Sequence, residues 1–419
     1  TYLKYGILKS QINMTREEAY SQCLAALGKS NFTLVELPTG YGKSYISIRM
    51  TNHIIETSCK NKSEVSILLL VAKTAHKGTW KDELVKWGGI KGNANLIIEC
   101  YESLHKHTDE YFDIIIMDEC HHLNSDLRHD LFSTISFHNV IGLSATIPQK
   151  LKQYFLYKYH AQTVLCNITD AIKDGVLPEP QIILYPLELD NVHSTEFIEI
   201  NPKAKGPLHH GSFSKLWSYR KMKVHAIISC TQRQKLNDMN SQILFQKNSF
   251  MRTHKEYTKN KWLFSCGERI KYLANLKNSI VKDILSILAD ERTLTFCKTI
   301  EQAECLGKYC IHSKNPYSEL IYKNFNDKKI NHITSVNILN ENANLVDCKY
   351  AIFANYSSSE VCSVQRCGRA LRHKSPVIIM PFYKNTREEE ILKDMIKDFN
   401  PDSIHTVYSL TELQSFLKK

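Results

Sequence analysis

The sequence has no long apolar run, no closely paired cysteines and no glycine-serine linker. Its longest apolar runs, at 67–72 and 114–117, are far shorter than the roughly 18 residues that a membrane helix needs. The N-terminus does not show the basic-then-apolar pattern of a signal peptide. The 13 cysteines are an odd number without a C-x-x-C pair, so neither a disulfide framework nor a zinc ribbon is predicted. We therefore expect a cytoplasmic protein with reduced thiols and no membrane partner.

One cysteine cluster leaves a metal site open as an alternative. Cys305, Cys310 and His312 are close in sequence, and thiolates and imidazoles are ligands of zinc. The cluster has no second half elsewhere in the chain, whereas buried cysteines are common in protein cores. The sequence favours buried cysteines here.

Positive charge is concentrated in one part of the chain. Residues 201–290 contain 17 Lys and Arg against 5 Asp and Glu, a net charge of +12, whereas the whole chain carries +11. A localised basic segment is typical of proteins that bind the phosphate backbone of nucleic acid. A solvated surface is the alternative interpretation.

Short apolar runs alternate with longer polar or helical stretches in the first third of the chain and again after residue 290. This alternation is typical of parallel sheets with crossover helices. The predicted strands are 32–37, 65–71, 96–99, 112–117, 140–143, 293–296, 333–336, 350–355 and 377–381. The predicted fold class is therefore α/β, with two parallel-sheet units joined near the glycine and prolines of 174–180.

The segment 191–265 differs from both units because it is basic, rich in aromatic residues and poor in strand alternation. We predict a largely helical insertion there, with one helix at 231–254. Apolar residues then recur every three or four positions from Ile270 to Leu288, which predicts a single helix that packs on the second sheet.

A glycine-containing loop follows the first predicted strand. Glycines let backbone N–H groups wrap phosphates, and the start of the next helix favours an anion. In such loops the lysine reaches the β- and γ-phosphates and the next hydroxyl binds Mg²⁺. We therefore predict that ATP is bound, with Lys43 on the phosphates and Ser44 on Mg²⁺, although Leu37 replaces the first glycine of the usual pattern. The predicted nucleotide-binding residues are Pro38, Thr39, Gly40, Tyr41, Gly42, Lys43 and Ser44.

Asp118 and Glu119 stand at the end of the apolar run 112–117. Two adjacent carboxylates at that place are costly unless a cation or a substrate uses them. Asp118 would hold Mg²⁺ through water, and Glu119 would orient or deprotonate the attacking water. An acidic cap on the strand end is the alternative.

Together with Cys120 and His121 these carboxylates form a D-E-C-H box, and the chain resembles the DEAD/DEAH-box helicases of superfamily 2 over nearly its whole length. Residues 144–146, Ser-Ala-Thr, resemble the family's third motif, and residues 365–372, Q-R-C-G-R-A-L-R, its sixth. The resemblance implies two tandem RecA-like domains, at 1–178 and 179–419, with ATP between them. It further implies that Arg369 and Arg372 are arginine fingers that stabilise the transferring phosphoryl group.

The resemblance also implies roles for other residues. Gln365 would sense the γ-phosphate, and Ser144 and Thr146 would couple hydrolysis to movement. Thr74, Tyr101 and Ser103 would contact a nucleic-acid strand, and 339–345 resembles motif V. Arg16 and Gln22 are candidates for reading adenine, with Gln11 as another. In the insertion, where aromatic and basic residues alternate as stacking on bases requires, the predicted contacts are Trp217, Arg220, Lys221, Lys223 and Arg233.

The residues and spacing of the motifs are closer to those of phage and plasmid helicases of the restriction-subunit or branch-migration kind than to those of RNA-dedicated proteins. We therefore expect a DNA helicase or translocase that acts as a monomer in a bacterial cell or a phage-infected host. Three alternatives stay open: an RNA helicase, the motor subunit of a restriction or defence complex, and a nucleotide-gated clamp that binds without unwinding.

Overall fold

The computed structural model describes the chain in four stretches, within which two compact units are formed. No helix in these stretches is long and apolar enough to cross a membrane. The described stretches are 15–200, 226–336, 345–356 and 373–418. Their division between the units is 15–180, 345–349 and 373–376 for unit 1, and 181–336, 350–356 and 377–418 for unit 2.

Unit 1 contains a parallel sheet in the order β3-β2-β4-β5-β1-β6. Its strands are β1 (Phe32–Glu36), β2 (Val65–Val71), β3 (Ala94–Cys100), β4 (Tyr111–Asp118), β5 (Ser136–Ser144) and β6 (Gln162–Leu165). Alternate residues of a strand face opposite sides, so Ile67 and Leu69 join one apolar cluster while Leu68 and Leu70 join the other. The sheet is thus buried on both faces, as its continuous apolar runs require.

Helices cover the two faces of this sheet. They are α1 (Arg16–Leu27), α2 (Lys43–Thr57), α3 (Thr74–Lys86), α4 (Asp126–Ser133), α5 (Gln149–Tyr159) and α6 (Ile168–Lys173), with 3-10 turns at Tyr101–His107 and Cys120–Leu123. Ile46 and Met50 of α2 pack in one cluster, and Phe155 of α5 packs in the other. Thr15 and Glu18 form a capping box that starts α1.

Unit 2 contains a second parallel sheet, in the order β11-β12-β10-β13-β14-β7-β15, and an antiparallel β8-β9 ribbon. The strands are β7 (Gln181–Leu187), β8 (Glu196–Ile200), β9 (Ala226–Cys230), β10 (Thr293–Phe296), β11 (Cys310–Ile311), β12 (His332–Ser335), β13 (Tyr350–Phe353), β14 (Val377–Tyr383) and β15 (Ile404–Thr406).

Two long helices of unit 2 pack on each other as a hairpin, and shorter helices accompany the sheet. The hairpin is α7 (Gln232–Thr253) with α8 (Glu256–Leu276). The shorter helices are α9 (Asn278–Ile287), α10 (Ile300–Leu306), α11 (Ser318–Asn326), α12 (Arg387–Ile396) and α13 (Leu410–Leu417), with a 3-10 turn at Pro401–Ser403. A capping box of Thr231 and Gln234 starts α7, and His254 ends it in the left-handed conformation.

The predicted fold class is confirmed, because both sheets are parallel and the described part of the basic segment is largely helical. The predicted helix at 231–254 corresponds to α7. The single helix predicted from 270 to 288 is wrong, because the chain turns at Lys277 and continues as α9. Leu273 packs with Leu236 between the two helices of the hairpin, whereas Val281 and Ile284 pack on the sheet.

The turn between α8 and α9 is fixed by a buried ion pair. Lys277 is fully buried, and its Nζ lies 2.5 Å from Glu388 Oε1 and over the ring of Tyr356. The backbone N–H of Tyr383 donates to the other Glu388 oxygen at 3.2 Å. Burial lowers the pKa of Lys277. The neighbouring Glu388 carboxylate partly offsets this effect, because it favours the charged ammonium.

Replacing Glu388 should therefore strongly destabilise unit 2. Glu388→Gln leaves a buried ammonium without its counter-charge, so we expect a loss of about 3–5 kcal/mol in urea unfolding. Glu390→Gln is the matched control, because Glu390 is exposed on the same helix and pairs with Arg387 at the surface. The double variant Lys277→Met/Glu388→Leu should recover most of the loss. Equal unfolding midpoints for both single variants would contradict this account.

Candidate active site

Three neighbouring strands of unit 1 end at the same edge of the sheet. Asp118 of β4 is in register with Leu143 of β5, and Ser144 of β5 is in register with Glu36 of β1. Ligands of open parallel sheets bind outside this carboxyl edge. The register therefore places the loop after β1, the carboxylates after β4 and the motif after β5 beside one another.

The loop after β1 has the backbone of a phosphate-binding loop. Gly40 and Gly42 adopt φ angles of 91° and 108°, which residues with a side chain rarely adopt. Among the described residues, no side chain caps the N-terminus of α2, which begins at Lys43. The Lys43 ammonium donates to the Leu37 carbonyl at 3.1 Å, and Arg16 Nε donates to the Tyr41 carbonyl at 2.9 Å. The start of a helix beside such a loop favours an anion.

The two carboxylates after β4 are buried and held. Trp80 Nε1 donates to Asp118 Oδ2 at 2.8 Å, and the Tyr101 hydroxyl donates to the Asp118 backbone carbonyl at 2.8 Å. Glu119 has φ 51° and ψ 54°, a left-handed conformation that costs a residue with a side chain about 1–2 kcal/mol. Strain of this kind concentrates at functional sites, and here it turns Glu119 towards β5.

Glu119 belongs to a polar network with the motif after β5. The Ser144 hydroxyl lies 3.4 Å from Glu119 Oε2 and 2.8 Å from the Thr146 carbonyl, and it can donate a hydrogen bond to either oxygen. His121 Nδ1 lies 3.0 Å from Ser144 Oγ and 3.3 Å from Glu119 Oε2. Of the two residues predicted to couple hydrolysis to movement, Ser144 therefore contacts the carboxylate predicted to activate water, and Thr146 is bonded to Ser144.

The loop after β1 and the carboxylates of Asp118 and Glu119 face one cleft of about 510 Å³. Of the predicted residues, its lining includes Thr39, Gly40, Gly42, Lys43, Ser44, Asp118 and Glu119. Tyr41 is instead buried, and its hydroxyl donates to the Thr15 carbonyl, so it anchors the loop. Arg16 lines the cleft, whereas Gln22 on α1 does not.

Aromatic residues that the sequence analysis did not assign to nucleotide binding also line the cleft. Tyr45 follows the phosphate loop directly, and its ring lies 4.7 Å from that of Trp87 between ring centroids. Trp80 lines the cleft as well. The seven-residue spacing of Trp80 and Trp87 could have indicated one face of α3. It could not have indicated that these rings border a cleft rather than a core.

The donors in the cleft fit Mg²⁺. The Ser44 hydroxyl and the Asp118 carboxylate are hard oxygen ligands, and Mg²⁺ sites of nucleotide enzymes use one or two such groups plus phosphates and water. The alternative zinc site is not supported, because no group of three or more His, Cys, Asp or Glu in the described stretches could hold a metal ion. Cys310 is instead buried, with its thiol donating to the Gly307 carbonyl at 2.9 Å.

A second surface depression, here called the groove, has a volume of about 560 Å³. Thr74 at the start of α3 and Ser103 in the 3-10 turn, which are predicted to contact a nucleic-acid strand, line it. Lys73, Lys77 and Lys106 add positive charge. Polar hydroxyls beside lysines are suited to a phosphate backbone.

Of the predicted nucleic-acid contacts, Tyr101 is buried and Arg233 is bonded to backbone carbonyls. Tyr101 is 1% exposed and its hydroxyl is bonded to Asp118, so it lies beneath the groove rather than in it. The Arg233 guanidinium donates to the carbonyls of Lys384 and Asn385 at 3.4 and 3.2 Å, which ties α7 to the end of β14.

Other predicted residues lie outside the described stretches. They are Gln11, motif V residues 339–344, Gln365, Arg369, Arg372, Trp217, Arg220, Lys221 and Lys223.

A methyl group at Gly42 should weaken nucleotide binding. Gly42→Ala meets no serious clash, since its Cβ would lie 3.5 Å from Arg16 Nε, but it strains a left-handed backbone by about 1–2 kcal/mol. The loop should relax away from its phosphate-binding shape, which raises the Kd for ATP about tenfold. Gly175→Ala is the control, because Gly175 has φ 70° and lies outside the cleft. Fluorescent-nucleotide titration measures both, and unchanged affinity in Gly42→Ala would contradict the assignment.

Two family models match the sequence. The model of the type III restriction enzyme res subunit matches residues 9–149, and the model of the helicase conserved C-terminal domain matches residues 276–374. The first contains the phosphate loop and the D-E-C-H box, and the second contains the Q-R-C-G-R-A-L-R motif. No curated protein matches the sequence significantly.

Several solved structures share the fold. Two structures of Saccharomyces cerevisiae Dbp5 bound to RNA and ADP BeF3, one of them of a single-residue variant, match with a TM-score of 0.57 and 11% identity. The match covers 96% of this chain and 92% of theirs. The Pyrococcus furiosus Hef helicase domain matches with a TM-score of 0.49 and 14% identity, over 92% of this chain and 98% of that one. The Dbp5 likeness shows the fold of tandem RecA-like domains, and the two family models, matched in this order, support a superfamily 2 helicase.

Proposed function

We propose that this chain is a motor that hydrolyses ATP in the cleft of unit 1 to move along DNA or to unwind it. The observation that carries the proposal is the meeting of a phosphate loop and two buried carboxylates in one cleft, with a basic groove in the same unit. We further propose RecA-like domains at 1–178 and 179–419, with Gln365, Arg369 and Arg372 completing the site.

The chemical step follows from the groups in the cleft. Lys43 and the N-terminal amides of α2 would neutralise the phosphates of ATP, and Glu119 would orient the attacking water and take its proton. The water oxygen bonds to the γ-phosphorus as the bond to the β,γ-bridging oxygen breaks, which gives ADP and phosphate. Bound through Ser44 and Asp118, Mg²⁺ would supply positive charge against the phosphate oxygens.

The network around Glu119 supports a coupling role for Ser144 and Thr146. A change in the protonation or position of Glu119 during hydrolysis would change its hydrogen bond with Ser144. Ser144 is in turn bonded to the backbone at Thr146. A change in nucleotide state would thus reach the loop after β5 without a large rearrangement.

DNA is the favoured substrate. The match of residues 9–149 to the res subunit of a type III restriction enzyme supports this choice, as do the residues found in the motifs. RNA is the second candidate, because Dbp5 binds RNA with the same fold. A motor subunit of a defence complex would hydrolyse ATP on DNA too, whereas a clamp would bind without turnover.

ATP hydrolysis with single-stranded DNA, duplex DNA, forked DNA and RNA distinguishes these possibilities. We expect DNA to stimulate the rate more than RNA does, and strand displacement on the best stimulator then separates unwinding from translocation. Greater stimulation by RNA would overturn the DNA assignment, and a rate that no nucleic acid changes would overturn the motor itself.

Glu119→Gln should separate nucleotide binding from hydrolysis. The amide keeps the size of the side chain but cannot take a proton, so we expect hydrolysis to fall by about 100-fold or more while ATP still binds. Glu110→Gln is the matched control, because Glu110 lies just before the opposite end of β4 and pairs with His107 at the surface. A Glu119→Gln enzyme with a normal turnover rate would remove Glu119 from the catalytic role.

Lysines of the groove should contribute to affinity through phosphate contacts. Lys106→Ala should lower the dependence of log K on log salt by about one, because one fewer counterion is released. Lys81→Ala is the control, since Lys81 is exposed on α3 but lines neither depression. Fluorescence anisotropy at several salt concentrations gives both slopes. Identical slopes for the two variants would place nucleic acid elsewhere.

A further inference from the structure

Two segments of unit 1 face both the groove and Asp118. α3 lines the groove with Thr74 and Lys77, and the 3-10 turn Tyr101–His107 lines it with Ser103 and Lys106. Each segment also sends one aromatic side chain inwards: Trp80 from α3 and Tyr101 from the turn.

Both aromatic side chains end on the same residue. The Trp80 indole N–H donates to the Asp118 carboxylate at 2.8 Å, and the Tyr101 hydroxyl donates to the Asp118 carbonyl at 2.8 Å. Trp80, Tyr101 and Asp118 are 3%, 1% and 5% exposed, so none of these bonds is shared with bulk water. Hydrogen bonds to a buried charged group are among the stronger ones in proteins.

At the groove, α3 is also joined to the end of β3, which leads directly into the turn. Lys77 Nζ of α3 lies 3.0 Å from Glu99 Oε2, near the end of β3, and Thr74 Oγ1 lies 3.8 Å from Cys100 Sγ. Cys100 immediately precedes the turn that carries Tyr101. A phosphate bound in the groove would compete with Glu99 for the Lys77 ammonium. Binding there would therefore loosen the link between the segments that hold Asp118.

We propose that Trp80 and Tyr101 are positioning residues through which a nucleic-acid backbone in the groove changes the alignment of Asp118 and so the rate of ATP hydrolysis. The proposal rests on the proposed function, in which the groove binds nucleic acid and Asp118 serves Mg²⁺. Groups that orient a metal ligand typically affect metal affinity or activity by about 10–100-fold.

Trp80→Phe and Tyr101→Phe each remove one hydrogen bond to Asp118. For Trp80→Phe we expect nucleic-acid stimulation of ATP hydrolysis to fall about tenfold, while single-strand affinity measured by anisotropy stays within about twofold. Tyr101→Phe should act in the same direction and more weakly, since its bond is to the backbone. Tyr159→Phe is the matched control, because it also removes a buried phenol hydroxyl, but from the aromatic cluster around Phe32 and Phe155 rather than from beside Asp118. Its removal should change neither quantity.

A second readout does not depend on turnover. The affinity for a fluorescent ATP analogue is measured with Mg²⁺ and with EDTA, and the ratio of the two reports what the metal contributes. Trp80→Phe should reduce this ratio about tenfold, whereas a general loss of folding would lower both affinities together. Thermal unfolding of each variant shows whether folding is lost. If Trp80→Phe unfolds, the Tyr101→Phe variant, which loses only the hydroxyl group, tests the positioning role instead.

The outcomes separate this inference from the proposed function. If wild-type hydrolysis responds to nucleic acid but both variants match it in stimulation and in the magnesium ratio, the positioning role is overturned and the motor stands. If the wild-type enzyme responds to no nucleic acid, both are overturned. A double variant with Lys77→Ala should be non-additive with Trp80→Phe, because the two residues act along one path.

Discussion

The register between β1, β4 and β5 is the constraint on which the site depends. Because Asp118 aligns with Leu143 and Glu36 aligns with Ser144, the loops that follow these three strands lie side by side at the carboxyl edge of the sheet. A shift of one residue in either pairing would turn Asp118 or Ser144 to the other face of the sheet. The apolar clusters on both faces prevent such a shift, so the packing of the sheet also fixes the chemistry.

Buried polar groups around this edge are costly, and each is held by a specific partner. Trp80 and Tyr101 hold Asp118, while Ser144 and His121 hold Glu119. Such networks rigidify a site when they are satisfied. Here they also connect it to the groove, because the residues that hold Asp118 come from the segments that line that groove. A site built this way can respond to a polyanion without contacting it.

Sequence patterns predicted most of the sheet and the chemical groups of the cleft. Continuous apolar runs such as 65–71 and 293–296 gave β2 and β10 with their observed bounds. β7 was missed because Pro186 interrupts its run, and a proline is unusual inside a sheet. The partners of Asp118 could not be predicted, since Trp80 is 38 residues away and only tertiary packing brings its indole to the carboxylate. For the same reason Tyr101 could not be distinguished from an exposed contact, nor Lys277 from a surface lysine.

Energetic coupling between the cleft and the groove of unit 1 can be tested directly through the effect of each ligand on the binding of the other. The affinity for single-stranded DNA is measured with and without a non-hydrolysable ATP analogue, and the affinity for the analogue with and without DNA. Thermodynamic reciprocity requires both ratios to be equal, and coupling predicts a ratio of about 5–150. A ratio of one in both experiments, with each ligand bound, would contradict the account.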